Sequence, residues 1–356
     1  MANILILGAG VMGSALAITA AGNPDNTVSI VGSPLDDGII DEVRNNHWHP
    51  ALRVDVSENL SFFTEAELTH NQARQADIIV IGVSSPGVDW AVNTINRNNA
   101  KPHCIALVTK GLVATDNRST APLTYADALA SQLDSNLLLG IAGPCIAREL
   151  ALGMPTMVTF SARNLELAKT VRTSFASDHY RIAVHPDFVG LEACAALKNF
   201  YCIGVAAMLG AWTIEGNTAK NPVAALFNQA VLEMGVVCQW IRNATDSSAL
   251  QSRRSGWHET AFDLPGMGDL HVTVGGGRNS RLGTLLGQGQ RLSEIVSGSM
   301  QGVTVEGLDT GRQLLGGFKA AVNSGALSES ALPLTCLLYT SPSPRDATLS
   351  RMPSSA

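Results

Sequence analysis

Residues 3–22 read NILILGAGVMGSALAITAAG, and this stretch decides the fold. Positions 3–7 form a short apolar run of strand type, GAGVMG follows at once, and 14–22 has helical composition. Gly8, Gly10 and Gly13 therefore stand in a GxGxxG turn between a strand and a helix. The first glycine permits the tight turn, and the second lets the backbone approach a pyrophosphate. The third lets helix and strand pack closely. The free N–H groups at the start of the helix then face the anion.

Working outward, TVSIVG (27–32), ADIIVIGV (76–83), HCIALVTK (103–110) and NLLLGIAG (136–143) are near-continuous Ile/Val/Leu runs separated by helical stretches. Runs of this kind imply a doubly wound α/β unit, a parallel sheet covered on both faces. Ligands in such sheets bind beyond the carboxyl ends of the strands. Three of those ends carry VSSPG (83–87), TKGL (109–112) and GPCIARE (143–149), so Lys110 projects towards the same crevice as the glycine turn. The second strand should end in an acid for the ribose of NAD or a base for the phosphate of NADP. It ends in GSPLDD (32–37), which fits neither pattern, and the coenzyme preference stays open.

From about 188 the pattern changes to Ala/Leu-rich helical periodicity, with helices expected over 189–212, 219–243 and 305–323. The boundaries that follow are 1–187 for a dinucleotide-binding domain and 188–335 for an all-α domain. Within the latter, GLEACAALKNFYCIG (190–204) sets one full positive charge, Lys198, beside Asn199 in an apolar run. An unpaired buried ammonium costs several kcal/mol. Lys198 must lie on a solvated helix face or point into a polar cleft. LPGMGDLHVTVGGGRNSRLG (264–283) reads as a flexible glycine-rich segment, in which Arg278 and Asn279 follow three glycines. Backbone amides and a guanidinium can close around an oxyanion there.

A net charge of −6 gives no general attraction for nucleic acid or anionic lipid. No unbroken apolar run reaches the roughly 18 residues of a membrane span, and ILILGAG is too short for a secretory core. Six cysteines without CxxC spacing read as reduced thiols of a cytoplasmic protein, and eight scattered histidines give a metal site little support. From Cys336 the chain reads CLLYTSPSPRDATLSRMPSSA, which resembles the translation of a sequencing-library adapter. Residues 336–356 are therefore expected to be a non-native tail after a truncated last helix.

GAGVMGSALA, VTKGL, GPCIARELALGMPT, GLEACAALKNFYCIG, GNTAKN, GMGDL, GGGRNSRLG and VEG occur in one order across 3–335. That order resembles the NAD(P)-dependent glycerol-3-phosphate dehydrogenase family. The resemblance implies a Rossmann-type domain followed by a helical domain, with the active site in the cleft between them. It implies reversible reduction of dihydroxyacetone phosphate, a phosphorylated triose, to sn-glycerol 3-phosphate with NAD or NADP, feeding phospholipid synthesis. It makes Lys198 the general acid/base and sets Asp269 beside it. Lys110 touches substrate and cofactor, Gly143 lines the substrate site, and Asn199, Arg278 and Asn279 hold the substrate. Gly8, Gly10, Val11, Met12, Gly13, Ala147, Arg278 and Glu306 become cofactor contacts. Homodimers are common in the family. Cys145 and Gly277 depart from its usual Ser/Thr and Ser. Two rivals remain: a dehydrogenase of similar build acting on a hydroxy acid or ketoacid, and a catalytically silent dinucleotide sensor.

Overall fold

The computed structural model describes residues 2–115, 121–212, 219–245 and 259–340, and the chain divides into two compact units. The first comprises Met1–Lys110 and Ala126–Glu192. Its sheet has eight strands: β1 (Ala2–Leu7), β2 (Asn26–Val31), β3 (Ser61–Phe63), β4 (Ile78–Ile81), β5 (Cys104–Leu107), β6 (Leu138–Ala142), β7 (Thr156–Ala162) and β8 (Tyr180–Val184). The order across the sheet is β8-β7-β6-β5-β4-β1-β2-β3. The apolar runs of β1, β4, β5 and β6 lie at its centre and are buried, as strands covered on both faces must be.

The helices α1 (Val11–Ala21), α2 (Asp37–Asn46), α3 (Val88–Arg97), α4 (Ala147–Ala151) and α5 (Leu165–Phe175) join these strands or cover them. The sheet is mixed, not wholly parallel, because β7 runs antiparallel to β6 while β8 is parallel to β7. The link between β6 and β7 is only 143–155, with one short helix, so the chain turns back instead of crossing over. The sequence reading missed β3, β7 and β8. β3 and β8 are the edge strands and β7 lies next to β8, so all three sit outside the central run of the sheet.

The second unit comprises Gly111–Tyr125 and the chain from Ala193 onward. Its described helices include most of α6 (Phe188–Trp212), α7 (Lys220–Thr245), α8 (Asp269–Val274), α9 (Arg278–Gly287), α10 (Glu306–Asn323) and α11 (Pro333–Thr340). Residues 111–125 fall here and not with the first domain, as a boundary at 187 would have it. Leu112–Val113 and Leu123–Thr124 form a small antiparallel ribbon that packs on α10. The segment 264–283 is largely helical and not a flexible loop, since Leu270 and Leu282 are fully buried and anchor α8 and α9. Residues 216–218 of the GNTAKN motif lie outside the described residues.

Two observations revise the reading of the chain's apolar segments. By length and composition α6 and α7 could each cross a membrane, although no unbroken apolar run is that long. In α6, 83% of the apolar window is buried inside the protein, so its hydrophobicity is used by the core; in α7 the share is 44%. At the other end, α11 continues through Cys336 to Thr340, past the boundary at 335. Leu334 and Leu338, one helical turn apart, pack over Gly204. The buried Glu233 carboxylate accepts the Leu334 and Thr335 N–H groups and so caps this helix. Of the expected tail, 341–356 lie outside the described residues.

Candidate active site

In the first unit the residues singled out on the sequence gather at the carboxyl edge of the sheet. Gly8 follows β1 with φ +110, a conformation open to glycine, and a Cβ there would meet Val83 at 2.6 Å. At Gly13 a Cβ would lie 2.4 Å from the Gly8 carbonyl oxygen, which is why helix and strand can approach this closely. Gly10 is extended and begins α1, and the space a Cβ would take there is open for 4 Å. No side chain caps α1 and no acid stands in its first turn, so the N–H groups around Val11 and Met12 suit an anion.

The neighbouring strand ends are tied together. Thr109 Oγ1 donates to the Val83 carbonyl at 2.6 Å, and Ser85 Oγ donates to the Lys110 carbonyl at 3.4 Å. These bonds fix the TKGL and VSSPG loops side by side. Gly143, at φ +138, ends β6 against Val158, and Ala147 opens α4, which packs on α1. Gly8, Gly10, Val11, Met12, Gly13, Lys110, Gly143 and Ala147 thus all belong to this unit.

In the second unit a different kind of site is built. Lys198, in the middle of α6, is only 7% exposed. Its Nζ donates to Asp269 Oδ1 at 3.1 Å and to Thr273 Oγ1 at 2.7 Å. Asp269 opens α8 after a π-helical turn, Leu264–Gly268, and Thr273 lies one turn further on the same face. The Thr273 hydroxyl donates onward to the Asp269 carbonyl at 2.6 Å. An ammonium this deep is tolerated because a carboxylate and a hydroxyl oxygen receive it. Beside them the Cys202 thiol donates to the Thr273 carbonyl at 3.4 Å, and burial pushes its pKa up to about 12. Cys202 is therefore a neutral packing group and not a competing nucleophile.

Asn199, next along α6, accepts from Asn279 Nδ2 at 3.0 Å, and Asn279 Oδ1 accepts the Gly307 N–H at 2.9 Å. These buried amides link α6 to α9 and α9 to the start of α10. The glycine of VEG allows this approach, because a Cβ at Gly307 would stand 2.4 Å from the Asn199 carbonyl oxygen. Arg278 opens α9 and forms an ion pair with Glu306, the first residue of α10. The Arg278 side chain is 53% exposed, and nothing within 4 Å would meet a Cβ at Gly276 or Gly277 before it. Lys198, Asn199, Asp269, Arg278, Asn279 and Glu306 thus belong to one helical unit. Thr273 escaped the sequence reading, although its i+4 spacing from Asp269 would have placed both on one helix face. His49, buried beneath the glycine turn, carried no sequence signal at all.

Comparison with known proteins covers both halves. The family description "NAD-dependent glycerol-3-phosphate dehydrogenase N-terminus" matches residues 3–168, and its C-terminus counterpart matches 187–338. An NADP(+)-dependent glycerol-3-phosphate dehydrogenase of Archaeoglobus fulgidus is 33% identical over 296 residues, 82% of each chain. A glycerol-3-phosphate dehydrogenase of Listeria monocytogenes, named for NAD(P)+, is 28% identical over 322 residues, 89% of this chain and 86% of the relative. Among solved structures, glycerol-3-phosphate dehydrogenase from Saccharomyces cerevisiae shares the fold with TM-score 0.75 at 18% identity, over 96% of each chain. The Coxiella burnetii enzyme does so with TM-score 0.71 at 24% identity, over 95% of this chain and 93% of that one.

Proposed function

The chain belongs to the NAD-dependent glycerol-3-phosphate dehydrogenase family, and we propose that it interconverts dihydroxyacetone phosphate and sn-glycerol 3-phosphate with Lys198 as general acid/base. The observation that carries this reading is the buried Lys198 ammonium, held by Asp269 and Thr273 in a chain whose two halves both match the family. The first unit fits a dinucleotide: Gly8 has the required positive φ, the approach to Gly10 is open, and α1 offers an uncapped, acid-free N-terminus. A nicotinamide bound there supplies the hydride.

The protein's own residues bind, orient and move the proton. As the carbonyl carbon of the triose is reduced, its oxygen gains negative charge. The Lys198 ammonium stabilises that charge and gives the oxygen a proton, leaving a neutral amine; the reverse reaction returns it. Such general acid catalysis is worth about 10²–10⁴-fold. Asp269 and Thr273 hold the ammonium in place and favour its charged form before transfer. Arg278, at the open N-terminus of α9, and Asn279 take the substrate phosphate, with the guanidinium supplying charge-assisted bonds. Asn199 sets the spacing of α6 and α9 through Asn279. Lys110 and Gly143 are assigned to substrate contact, and Lys110, Ala147, Arg278 and Glu306 to the coenzyme. The free cysteines of the described residues support a cytoplasmic enzyme, and the burial of α6 supports its being a core helix and not a membrane span.

The test is oxidation of NADH and of NADPH, followed by the loss of nicotinamide absorbance, with dihydroxyacetone phosphate and with a panel of ketoacids. Turnover with the phosphorylated triose and little with the acids is expected. Preference for a ketoacid would replace the phosphate clamp by a carboxylate clamp. No turnover with any substrate, despite coenzyme binding, would leave a sensor.

A further inference from the structure

Within the first unit, a group that no part of the mechanism uses grips the glycine turn. His49 lies in the short ribbon of Trp48–His49 and Val54–Asp55, and it is completely buried. Its Nδ1 accepts the Leu52 N–H at 3.1 Å, which leaves the ring proton on Nε2. Nε2 is 3.1 Å from the Ala9 carbonyl oxygen, so it donates there. The same oxygen accepts from Ser14 Oγ at 3.1 Å. On the other side of this residue, the Ala9 N–H donates to Asp36 Oδ2 at 3.1 Å. That carboxylate oxygen is itself held by the Ser33 N–H and hydroxyl, both at 2.8 Å. Both polar backbone groups of Ala9, between the first two glycines, are therefore bound from behind.

Two features make this more than packing. A buried imidazole that only filled space would be replaceable by an apolar side chain of its size, whereas His49 accepts from Leu52, three residues on, and donates to the Ala9 carbonyl, 40 residues away. A carboxylate beside an anion-binding turn repels the anion, so Asp36 is unfavourable there unless it does something else. Its Oδ2 takes three donors from the turn and from the end of β2. That oxygen is thus committed to the protein and not to ribose hydroxyls.

We propose that His49 and Asp36 are positioning residues for the dinucleotide, fixing the Ala9 peptide groups so that the N–H groups of Gly10, Val11 and Met12 face the pyrophosphate. The proposal rests on the first unit binding a nicotinamide dinucleotide, as argued above. His49 reaches the turn from a ribbon outside the glycine motif, and Asp36 reaches it from the start of α2. The turn's shape is therefore set by three separate segments of the chain. Burial lowers the pKa of His49 and keeps the imidazole neutral, in keeping with the donor and acceptor roles described.

The experiment titrates NADH and NADPH binding by nicotinamide fluorescence for the protein and for His49→Leu, His49→Gln and Asp36→Ala, with thermal melting to verify folding. His49→Leu should weaken both coenzymes by a common factor of about tenfold, and His49→Gln, which keeps a donor for the Ala9 carbonyl, should recover most of it. Asp36→Ala should also weaken both equally, although it removes a negative charge beside an anion. A folded His49→Leu variant that binds like the parent overturns the role of His49. Should that variant fail to fold, Asp36→Ala decides. Tighter binding of both coenzymes would leave only repulsion. Loss of NADH binding alone would make Asp36 a ribose reader, and either result overturns the proposal. Absence of binding by the unmodified protein would remove this proposal together with the dinucleotide reading. Normal binding with unchanged variants would remove this proposal only.

Discussion

The glycine turn and the Lys198 cluster are built on opposite plans. The turn is made of backbone: positive φ at Gly8, 2.4 Å between a Cβ at Gly13 and the Gly8 carbonyl oxygen, and the uncapped end of α1. The cluster is made of side chains, with Lys198, Asp269 and Thr273 brought together from positions 71 and 75 residues apart. A backbone site tolerates many side chains but few changes in shape. A side-chain site tolerates small shifts in shape but not the loss of its reacting group. Removing the Lys198 amine should therefore abolish the chemistry of the second unit, while the first fails chiefly when atoms are added to it.

The strongest test of that contrast is Lys198→Ala. Turnover should fall by about 10²–10⁴-fold while coenzyme affinity stays unchanged, read by steady-state kinetics beside a binding titration. Ordinary turnover would remove Lys198 from the chemistry. Next comes Arg278→Ala, which should raise the Michaelis constant for dihydroxyacetone phosphate by about 10–100-fold with a smaller change in turnover. Loss of the ion pair to Glu306, a partly exposed contact, should cost little stability by itself. A Michaelis constant that did not move would place the phosphate elsewhere.

The first unit should break in the other direction. Gly13→Ala adds a single methyl, yet it must displace the Gly8 carbonyl or the first turn of α1. Overpacking of this kind costs about 1–3 kcal/mol, so both the melting temperature and the coenzyme affinity should drop. The affinity for the phosphorylated triose, measured at saturating coenzyme, should stay near that of the parent. A variant that melted and bound as before would mean that the turn has slack, and the contrast between the two sites would weaken.

The same contrast governs how much was legible in the sequence. The Rossmann-type start, the long helices α6, α7 and α10 and the glycine turn followed from local rules, because glycine spacing and apolar runs report directly on backbone geometry. The edge strands β3 and β8 and the penultimate strand β7 did not, since their pairing depends on neighbours the sequence cannot place. In the second unit, an apolar run with one lysine posed a question that composition could not answer. Its assignment came from resemblance to a family, and the geometry then showed the partner carboxylate. GGGRN looked like a loop because glycine was read as flexibility; Leu270 and Leu282 in the core outweigh that preference and make helices of the flanks. Thr273 and His49 were missed for a common reason: the hydrogen bond that matters joins each to an atom far away in the sequence.

Thr273 offers the finest test, because its role can be separated from its size. Thr273→Val keeps the shape and the β-branch but removes the hydroxyl that receives Lys198 at 2.7 Å and donates to the Asp269 carbonyl at 2.6 Å. Asp269 still holds the ammonium, so chemistry should survive with less exact placement. Turnover should fall by about fivefold, within the range of a single lost hydrogen bond, with the Michaelis constants of both substrates nearly unchanged. Thr273→Ser returns the hydroxyl and should restore most of the rate. If valine left turnover untouched, the carboxylate alone would position Lys198, and the threonine would serve only to close the first turn of α8. If serine failed to rescue a real loss, the methyl and not the hydroxyl would matter, and the cluster would depend on packing shape after all, as the glycine turn does.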